Sequence, residues 1–225
     1  METNDLKITD LAVEDWGLLE YDQALARQEQ LVELRQQGKI SDTLVLVEHP
    51  AVVTLGRRGS SADLRVPAAD FDATGVALQS INRGGLATAH EPGQLVAYPI
   101  LALKRRDLRW FSNTFLGVVV DLLAEYGLDG QLKANEPGVW VNGGKICSFG
   151  IAVRKWISSH GIALNVNNEL RTFEMIIPCG RPQERVTSVV LELGRTLDME
   201  EAKQKFIQLF CAAFAYQLNF DKIQS

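Results

Sequence analysis

Two residues of this sequence, a lysine and a cysteine, have chemistry that stands out from their surroundings. Lys145 opens the run KICSFGIAV, which is typical of a half-buried strand. Cys179 lies between Pro178 and Gly180, where an apolar segment stops and a turn must begin. A lysine beside a thiol makes an activated nucleophile, because the ammonium group stabilises the thiolate. Whether the two side chains meet depends on the elements that carry them.

The other two cysteines are weaker candidates for a nucleophile. Cys211 lies on a C-terminal amphipathic segment with Ile207 and Phe214 near it, which indicates core packing. Cys147 falls in the same strand as Lys145, so it competes with Cys179, although buried strand thiols are usually inert. Three cysteines without close spacing fit reduced thiols, and they favour neither a disulfide framework nor a zinc site.

The composition predicts one globular domain spanning residues 1–225. The 225 residues are 46% hydrophobic and 23% charged, and they contain no repeat or low-complexity linker. A net charge of −5 argues against a general nucleic-acid binder. No apolar run approaches the roughly 18 residues of a membrane span, and the acidic N-terminus is unlike a targeting signal. We therefore expect a cytoplasmic protein that uses neither nucleic acid nor membrane.

The periodicity of the sequence predicts short strands and three helices in irregular order, which is an α+β pattern. One helix is expected from a cap at Asp15 to about Gln37, and a second from a cap at Ser112 to Tyr126. A third follows Asp198, with Phe206, Leu209, Phe210 and Ala213 facing the core. Strands are expected over residues 43–48, 51–55, 76–81, 95–101 and 160–166, with a hairpin joining 139–141 to 145–153 over Asn142-Gly143-Gly144.

A glycine pair with polar neighbours forms a second candidate site. Arg83-Gly84-Gly85 is followed by Thr88 and His90, in neither a dinucleotide-binding nor a P-loop pattern. Paired glycines favour a tight turn first, and the alternative is a backbone that approaches a ligand closely. The three histidines are too scattered for a metal site, so no metal is expected. A dyad of Cys179 with His90 or His160 stays open on the residues alone.

Four ordered motifs resemble the bacterial lipoyl(octanoyl) transferases, which are octanoyl-acyl-carrier-protein:protein N-octanoyltransferases. The motifs are Arg83-Gly84-Gly85-x-x-Thr88-x-His90-x-x-Gly93-Gln94, Lys145-Ile146-Cys147-Ser148-Phe149-Gly150, His160-Gly161-x-Ala163-Leu164-Asn165 and Pro178-Cys179-Gly180. The likeness extends over roughly residues 40 to 210. Two positions depart from the family, which usually has an aromatic residue at position 89 and glycine at position 91, where this chain has Ala89 and Glu91.

The resemblance implies a fold, a reaction and a set of site residues. The fold would be a mixed sheet flanked by helices, as in the biotin and lipoate protein ligases. Cys179 would be the nucleophile that forms a thioester acyl-enzyme, and Lys145 its partner, with no cofactor. The residues implied to hold the acyl substrate are Arg83, Gly84, Gly85, Leu86, Ala87, Thr88, Ala89, His90, Ser148, Phe149, Gly150, Gly161, Ile162 and Ala163.

The resemblance also implies partners. The octanoyl donor would be octanoyl-acyl carrier protein, and the acceptors would be lysines in the lipoyl domains of 2-oxoacid dehydrogenases and in the glycine cleavage H protein. Because the carrier protein is acidic in these systems, the basic clusters Arg57-Arg58 and Lys104-Arg105-Arg106 with Arg109 are candidates for docking it.

Two other functions fit the same fold. One is an ATP-dependent lipoate or biotin protein ligase, in which the lysine would polarise an acyl-adenylate and no thiol would be needed. The other is a non-catalytic acyl-binding module, which would tolerate the loss of Lys145 and Cys179. The presence of both residues favours the transferase.

Overall fold

The computed structural model describes residues 9–224, except for the side chains of Thr9, Cys179 and residues 218–224. Its strands are β1 (Thr9–Leu18), β2 (Asp42–Glu48), β3 (Val52–Leu55), β4 (Ala77–Ser80), β5 (Ala87–His90), β6 (Gln94–Ile100), β7 (Gln131–Lys133), β8 (Glu136–Val141), β9 (Gly144–Arg154), β10 (Ile157–Asn165) and β11 (Tyr216–Gln224). Its α-helices are α1 (Tyr21–Gln36), α2 (Phe71–Thr74), α3 (Leu108–Glu125), α4 (Val189–Leu193) and α5 (Met199–Phe214).

The strands form two mixed sheets. The large sheet has eight strands in the order β11-β1-β2-β6-β10-β9-β8-β7. Its first three strands are parallel, and the others pair antiparallel. The small sheet has the order β4-β3-β5, with one parallel and one antiparallel pairing. This is the predicted α+β class.

Helices cover both faces of the large sheet, so its central strands are buried on both sides. In β2, Leu44 and Leu46 face the main core, to which α3 and α5 contribute phenylalanines. The alternate residues Val45 and Val47 face the other way, toward the side covered by α1. Because both faces of β2 are buried, the side chains on both of its sides are apolar. The sequence of this strand is therefore a continuous apolar run.

The predicted hairpin before Lys145 is confirmed. β8 and β9 pair antiparallel across Asn142 and Gly143. These two residues have φ of 48° and 79°, the left-handed conformation that a tight two-residue turn of type I′ demands. The turn spans two residues, not three, and this register places Trp140 opposite Lys145.

Three predictions about helices are wrong. The first helix begins at Tyr21, and not after a cap at Asp15. Asp15 lies within β1, where Leu11 and Val13 point into the core as alternate strand residues. Ser112 lies inside α3, which begins at Leu108; there the Asp107 carboxylate accepts the Trp110 amide at 2.9 Å as the cap.

Ala213 is exposed, and Ile207 and Cys211 are buried on α5 with Phe206 and Phe210. The predicted cap of this helix is confirmed, since the Asp198 carboxylate accepts from the amides of Glu200 and Glu201. The expected core position of Cys211 is also confirmed.

Candidate functional site

A cavity between the two sheets gathers residues from the separate sequence motifs. We call this space the central cavity. Its lining residues are Tyr21, Arg83, Thr88, His90, Tyr98, Ser148, Phe149, Gly150, His160, Gly161, Ile162 and Ala163. Its free volume is about 20 Å³, well below the roughly 300–1,000 Å³ of small-molecule sites, so the lining side chains lie close together. Nine of the fourteen predicted substrate residues therefore line one space.

The five other predicted residues lie beside this cavity, not among its lining side chains. The Gly84 amide donates to the Ile151 carbonyl at 3.1 Å, and the Leu86 carbonyl accepts from the Gly56 amide. Gly85 has φ of 93°, in the left-handed region that favours glycine. Ala87 and Ala89 pack in a separate apolar cluster.

The two faces of β5 explain this division. Side chains alternate along a strand, so Thr88 and His90 point to the central cavity. Ala87 and Ala89 point to the opposite face, where Ala89 is fully buried against the cluster that contains Phe173. The departure from the family at position 89 therefore lies outside the lining of the cavity.

Lys145 is buried near the start of β9, with 5% of its surface exposed. Its backbone amide donates to the Arg185 carbonyl at 2.7 Å, and its carbonyl accepts from the Thr187 amide at 3.0 Å. A side chain at position 138 would collide with it, because a Cβ on Gly138 would lie 2.7 Å from the Lys145 Cε. The glycine thus leaves room for the lysine to cross β8.

The Lys145 ammonium lies near an aromatic ring that is itself held in place. Nζ is 5.2 Å from the ring centroid of Trp140, its partner across the hairpin. The indole Nε1 of Trp140 donates to the Glu184 carboxylate at 2.7 Å. The Lys145 ammonium thus lies over an aromatic ring that is itself held in place by a hydrogen bond.

Cys179 lies on a short 3-10 turn, Pro178–Gly180, which we call the thiol turn. The Ile177 amide before the turn donates to the Asp63 carbonyl at 2.8 Å. The Arg181 side chain after it pairs with Glu136 on β8 at 2.7 Å. The predicted contact between Cys179 and Lys145 lies outside the described side chains, so the pair stays a prediction.

The thiol turn lies next to the Arg83–His90 stretch. Gly180 has φ of 67°, and a Cβ there would approach the Leu86 Cδ1 to 3.1 Å. The turn also contacts β5. Its backbone is thus anchored to the loop before α2, to β5 and to β8, whose partner β9 carries Lys145.

The buried histidines of the site are held neutral. Burial lowers the pKa of His49 to about 4, and burial also lowers the pKa of His160 to about 4, with a smaller contribution from Arg83. Burial lowers the pKa of His90 well below its ordinary value, and the proximity of His49 adds to this effect. Because these imidazoles are neutral at pH 7, each has one ring nitrogen that accepts hydrogen bonds.

A hydrogen-bonded chain fixes the tautomers of two of them. His49 Nδ1 donates to the Leu19 carbonyl at 2.7 Å, so its Nε2 accepts from the Tyr98 hydroxyl at 2.8 Å. His90 Nδ1 donates to the Gln94 Oε1 at 2.8 Å. The His90 Nε2 is therefore the acceptor nitrogen of that ring.

Arg83 is fastened to β3 at the edge of the cavity. Its guanidinium donates to the Thr54 carbonyl at 2.8 Å and to the Thr54 hydroxyl at 2.9 Å. It also donates to the Gly84 carbonyl at 3.0 Å. A positive charge fixed in this way favours a polar or partly negative group, such as a thioester carbonyl oxygen, at the mouth of the cavity.

Three cavity residues were not singled out as substrate-binding from the sequence. His160 begins one of the quoted motifs and Tyr98 lies in the strand predicted over residues 95–101, so the sequence indicates both positions for other reasons. Tyr21 begins α1 and gave no signal; its ring stacks on His90 with the centroids 5.4 Å apart. Burial raises the pKa of Tyr21 to about 12, so the hydroxyl stays protonated.

The two other thiols are unsuited to nucleophilic attack. Cys147 is fully buried, and burial raises its pKa to about 12 in spite of the nearby Lys145. Burial raises the pKa of Cys211 to about 11. Neither thiol is appreciably ionised at neutral pH, which leaves Cys179 as the candidate nucleophile.

Within residues 9–224, apart from the side chains named above, no group of three or more His, Cys, Asp or Glu residues could hold a metal ion. In the same part of the chain, no helix is long and apolar enough to cross a membrane.

Comparisons with known proteins agree on the family. A model of the lipoyl protein ligase A/B catalytic domain matches residues 20–211. The chain belongs to this family. An octanoyltransferase of Rubrobacter xylanophilus is 43% identical over 196 residues, which cover 86% of this chain and 89% of that protein. This similarity places the chain among the octanoyltransferases, so it is an enzyme of the transferase class.

Solved structures show the same fold. A bipartite lipoate protein ligase of Thermoplasma acidophilum superposes with a TM-score of 0.75 at 17% identity, covering 94% of this chain and 86% of that one. A biotin protein ligase of Aquifex aeolicus gives a TM-score of 0.54 at 16% identity, covering 92% of this chain and 69% of that one. The predicted relation to both ligase folds is confirmed.

Proposed function

We propose that this enzyme transfers an octanoyl group from octanoyl-acyl carrier protein to a lysine of a lipoyl domain, through a thioester on Cys179. The observation that carries the proposal is the convergence of three motifs on the central cavity. The thiol turn, which carries Cys179, lies beside Leu86 at the edge of this cavity. Membership of the octanoyltransferases supports the acyl group.

In the first half-reaction, the Cys179 thiolate attacks the carbonyl carbon of the donor thioester. A new carbon–sulfur bond forms and the bond to the carrier sulfur breaks; the carrier thiolate leaves with a proton from the Lys145 ammonium, so Lys145 becomes neutral. Lys145 supports the step, because a nearby ammonium lowers the pKa of a thiol. The backbone amides of Cys179 and Gly85 are the candidate donors to the oxyanion.

In the second half-reaction, the neutral amine of the acceptor lysine attacks the octanoyl thioester. An amide bond forms, the bond to Cys179 breaks, and the amine proton passes by way of Lys145 to the departing thiolate. The thioester is already activated, so the reaction needs no ATP.

The acyl chain would lie along β9 and β10 in the central cavity after the lining side chains move apart, and the apolar residues of the lining include Phe149, Ile162 and Ala163. The lining also contains the neutral imidazoles of His90 and His160 and the guanidinium of Arg83. This arrangement gives the chain an apolar surface and places polar groups where the thioester enters.

The charged surface suggests where the carrier protein docks. Arg109 lines a groove between α3 and the β7–β8 hairpin, and Phe149 borders both this groove and the central cavity. Arg57-Arg58 is the second candidate, because its backbone amides donate to the carbonyls of Arg83 and Gly85 at 3.0 Å and 3.2 Å beside the cavity. The acceptors remain those proposed from the sequence, the lipoyl domains of 2-oxoacid dehydrogenases and the glycine cleavage H protein, in the cytoplasm.

The test is transfer from octanoyl-acyl carrier protein to a lipoyl domain without ATP. The wild-type enzyme is expected to modify the domain, and Cys179→Ser to lose about 10³-fold or more in rate. Cys147→Ser is the matched control and is expected to keep full activity, because Cys147 is buried. If Cys179→Ser retains full activity, or if transfer requires free octanoate and ATP, the proposal is wrong.

A further inference from the structure

Glu91 occupies a position where the related family usually has glycine, and its carboxylate is almost entirely buried, with 6% of the residue exposed. It follows β5 on the face of Ala87 and Ala89, away from the central cavity. A buried carboxylate is costly unless hydrogen bonds satisfy it, so its partners indicate its purpose.

Those partners all belong to one short segment. Glu91 Oε1 accepts from the Asn168 side-chain amide at 3.0 Å and from the Leu170 backbone amide, and Oε2 accepts from the Thr172 backbone amide at 2.9 Å. Leu170 precedes the 3-10 helix Arg171–Met175 and makes no side-chain cap of its own. The carboxylate of a distant strand therefore caps this helix.

The capped segment leads directly into the thiol turn. Leu170 has φ of 66°, a conformation that non-glycine residues rarely adopt, so its surroundings must hold it there. Phe173 and Ile176 then pack against Ala87 and Ala89, and Ile176 bridges to Leu64. Only Ile176 and Ile177 separate the end of this helix at Met175 from Pro178, so a shift of the capped helix is passed on to the thiol turn.

The same network reaches the strand that carries Lys145. The Asn168 amide also donates to the Asn165 Oδ1 at 3.2 Å, and the Asn165 amide donates to the Thr187 carbonyl at 2.9 Å. The Thr187 amide in turn donates to the Lys145 carbonyl. Glu91 thus lies at a junction between the segment before the thiol and the backbone of the lysine.

We propose that Glu91 is a positioning residue, whose carboxylate sets the placement of the thiol turn relative to Lys145. This inference rests on the proposed function, since it concerns the same pair of residues. It also accounts for the two departures from the family together. Ala89 leaves space for the segment over residues 173–176, and Glu91 fixes the start of that segment.

The test compares Glu91→Gln with Glu169→Gln. The glutamine amide replaces one acceptor oxygen by an NH₂ donor. This donor then faces the N–H donor of Leu170 or Thr172, and that hydrogen bond is lost. Glu169 is the matched control, because it lies in the same segment but pairs with Arg171 on the surface, with 69% of its side chain exposed. Iodoacetamide is the probe, since alkylation reports the thiolate, and the raised pKa values of Cys147 and Cys211 keep them silent.

We expect Glu91→Gln to shift the midpoint of the alkylation rate against pH upward by about one unit, because Lys145 then stabilises the Cys179 thiolate less. We expect kcat to fall about tenfold to a hundredfold with little change in KM. Glu169→Gln should match the wild type in both. If Glu91→Gln fails to fold, Glu91→Asp, which keeps the charge at a shorter reach, should show the same shift.

An unchanged midpoint in a folded Glu91 variant would overturn the proposal, even if its kcat or melting temperature fell. A wild-type enzyme that never acylates Cys179 would instead refute the proposed function. The two failures are distinguishable, because alkylation is measured without any acyl substrate.

Discussion

Two buried lysines, Lys145 and Lys203, show how burial serves different ends in two regions of the molecule. Each has 5% of its surface exposed. Lys203 on α5 donates to Asp15 of β1 at 2.8 Å and to Glu200 at 3.1 Å. Lys145 lies against the face of Trp140 and close to Gly138.

The difference appears in the groups around each lysine. Burial lowers the pKa of Lys203, but the hydrogen bonds to Asp15 and Glu200 outweigh it, so the pKa is raised overall. That cation is locked to its carboxylates and fastens α5 to β1. Lys145 lies instead on β9, the strand whose residues Ser148, Phe149 and Gly150 line the central cavity.

The largest expected effect is on catalysis. Replacing Lys145 by methionine should lower the rate of octanoyl transfer by about 10³-fold, within the usual 10²–10⁴-fold for a proton-transferring group. Lys203→Met should leave the rate unchanged, because Lys203 lies on α5 and binds Asp15 and Glu200, away from β9 and the thiol turn. Transfer kinetics with both variants measure this, and equal losses would break the distinction between the two lysines.

The second effect concerns acid stability, which the region of the cavity should control. His49 and His160 have folded pKa values of about 4, so above pH 6.5 both folded and unfolded chains hold them neutral. Below pH 6.5 these histidines become protonated in the unfolded chain but stay neutral in the folded chain, so the free energy of unfolding falls. At pH 5 the loss is about 2 kcal/mol for each of these histidines.

Urea unfolding at pH 7 and pH 5 measures this loss. His160→Asn tolerates the left-handed backbone at φ of 54° and should make the loss smaller by one histidine's share. A stability that stays constant between the two pH values would show that the histidines are not held neutral by burial.

A smaller effect is expected at Lys203. Lys203→Met should lower the free energy of unfolding by about 1–2 kcal/mol, less than the roughly 3–5 kcal/mol for a fully buried pair. The discount follows because Asp15 and Glu200 are partly exposed, at 24% and 69%. Since the pKa of Lys203 is raised, its contribution is complete below pH 10.5 and is lost at more alkaline pH. An unaltered unfolding midpoint in urea would contradict this.

The sequence was sufficient for the fold class and for most of the cavity, because both depend on local patterns and ordered motifs. It failed where distant contacts decide the outcome. β1 alternates Leu11 and Val13 into the core, yet its acidic residues resemble the first turn of a helix. The role of Glu91 was out of reach because its three partners lie about 80 positions away along the chain.

One contact was within reach of the sequence. A two-residue turn at Asn142-Gly143 fixes the register of the hairpin, and that register pairs Trp140 with Lys145. The three-residue turn over Asn142-Gly143-Gly144 that is expected from the sequence gives a register in which Trp140 and Lys145 are not paired. Tyr21, by contrast, reaches the cavity only because α1 crosses β6 and β10, which no local pattern reveals.

The most direct test of the account is the mass of the enzyme after incubation with octanoyl-acyl carrier protein in the absence of acceptor and ATP. One octanoyl group should be added, peptide mapping should place it on Cys179, and a lipoyl domain should remove it. An unmodified enzyme that still catalyses transfer, or an adduct on Cys147, would contradict the account.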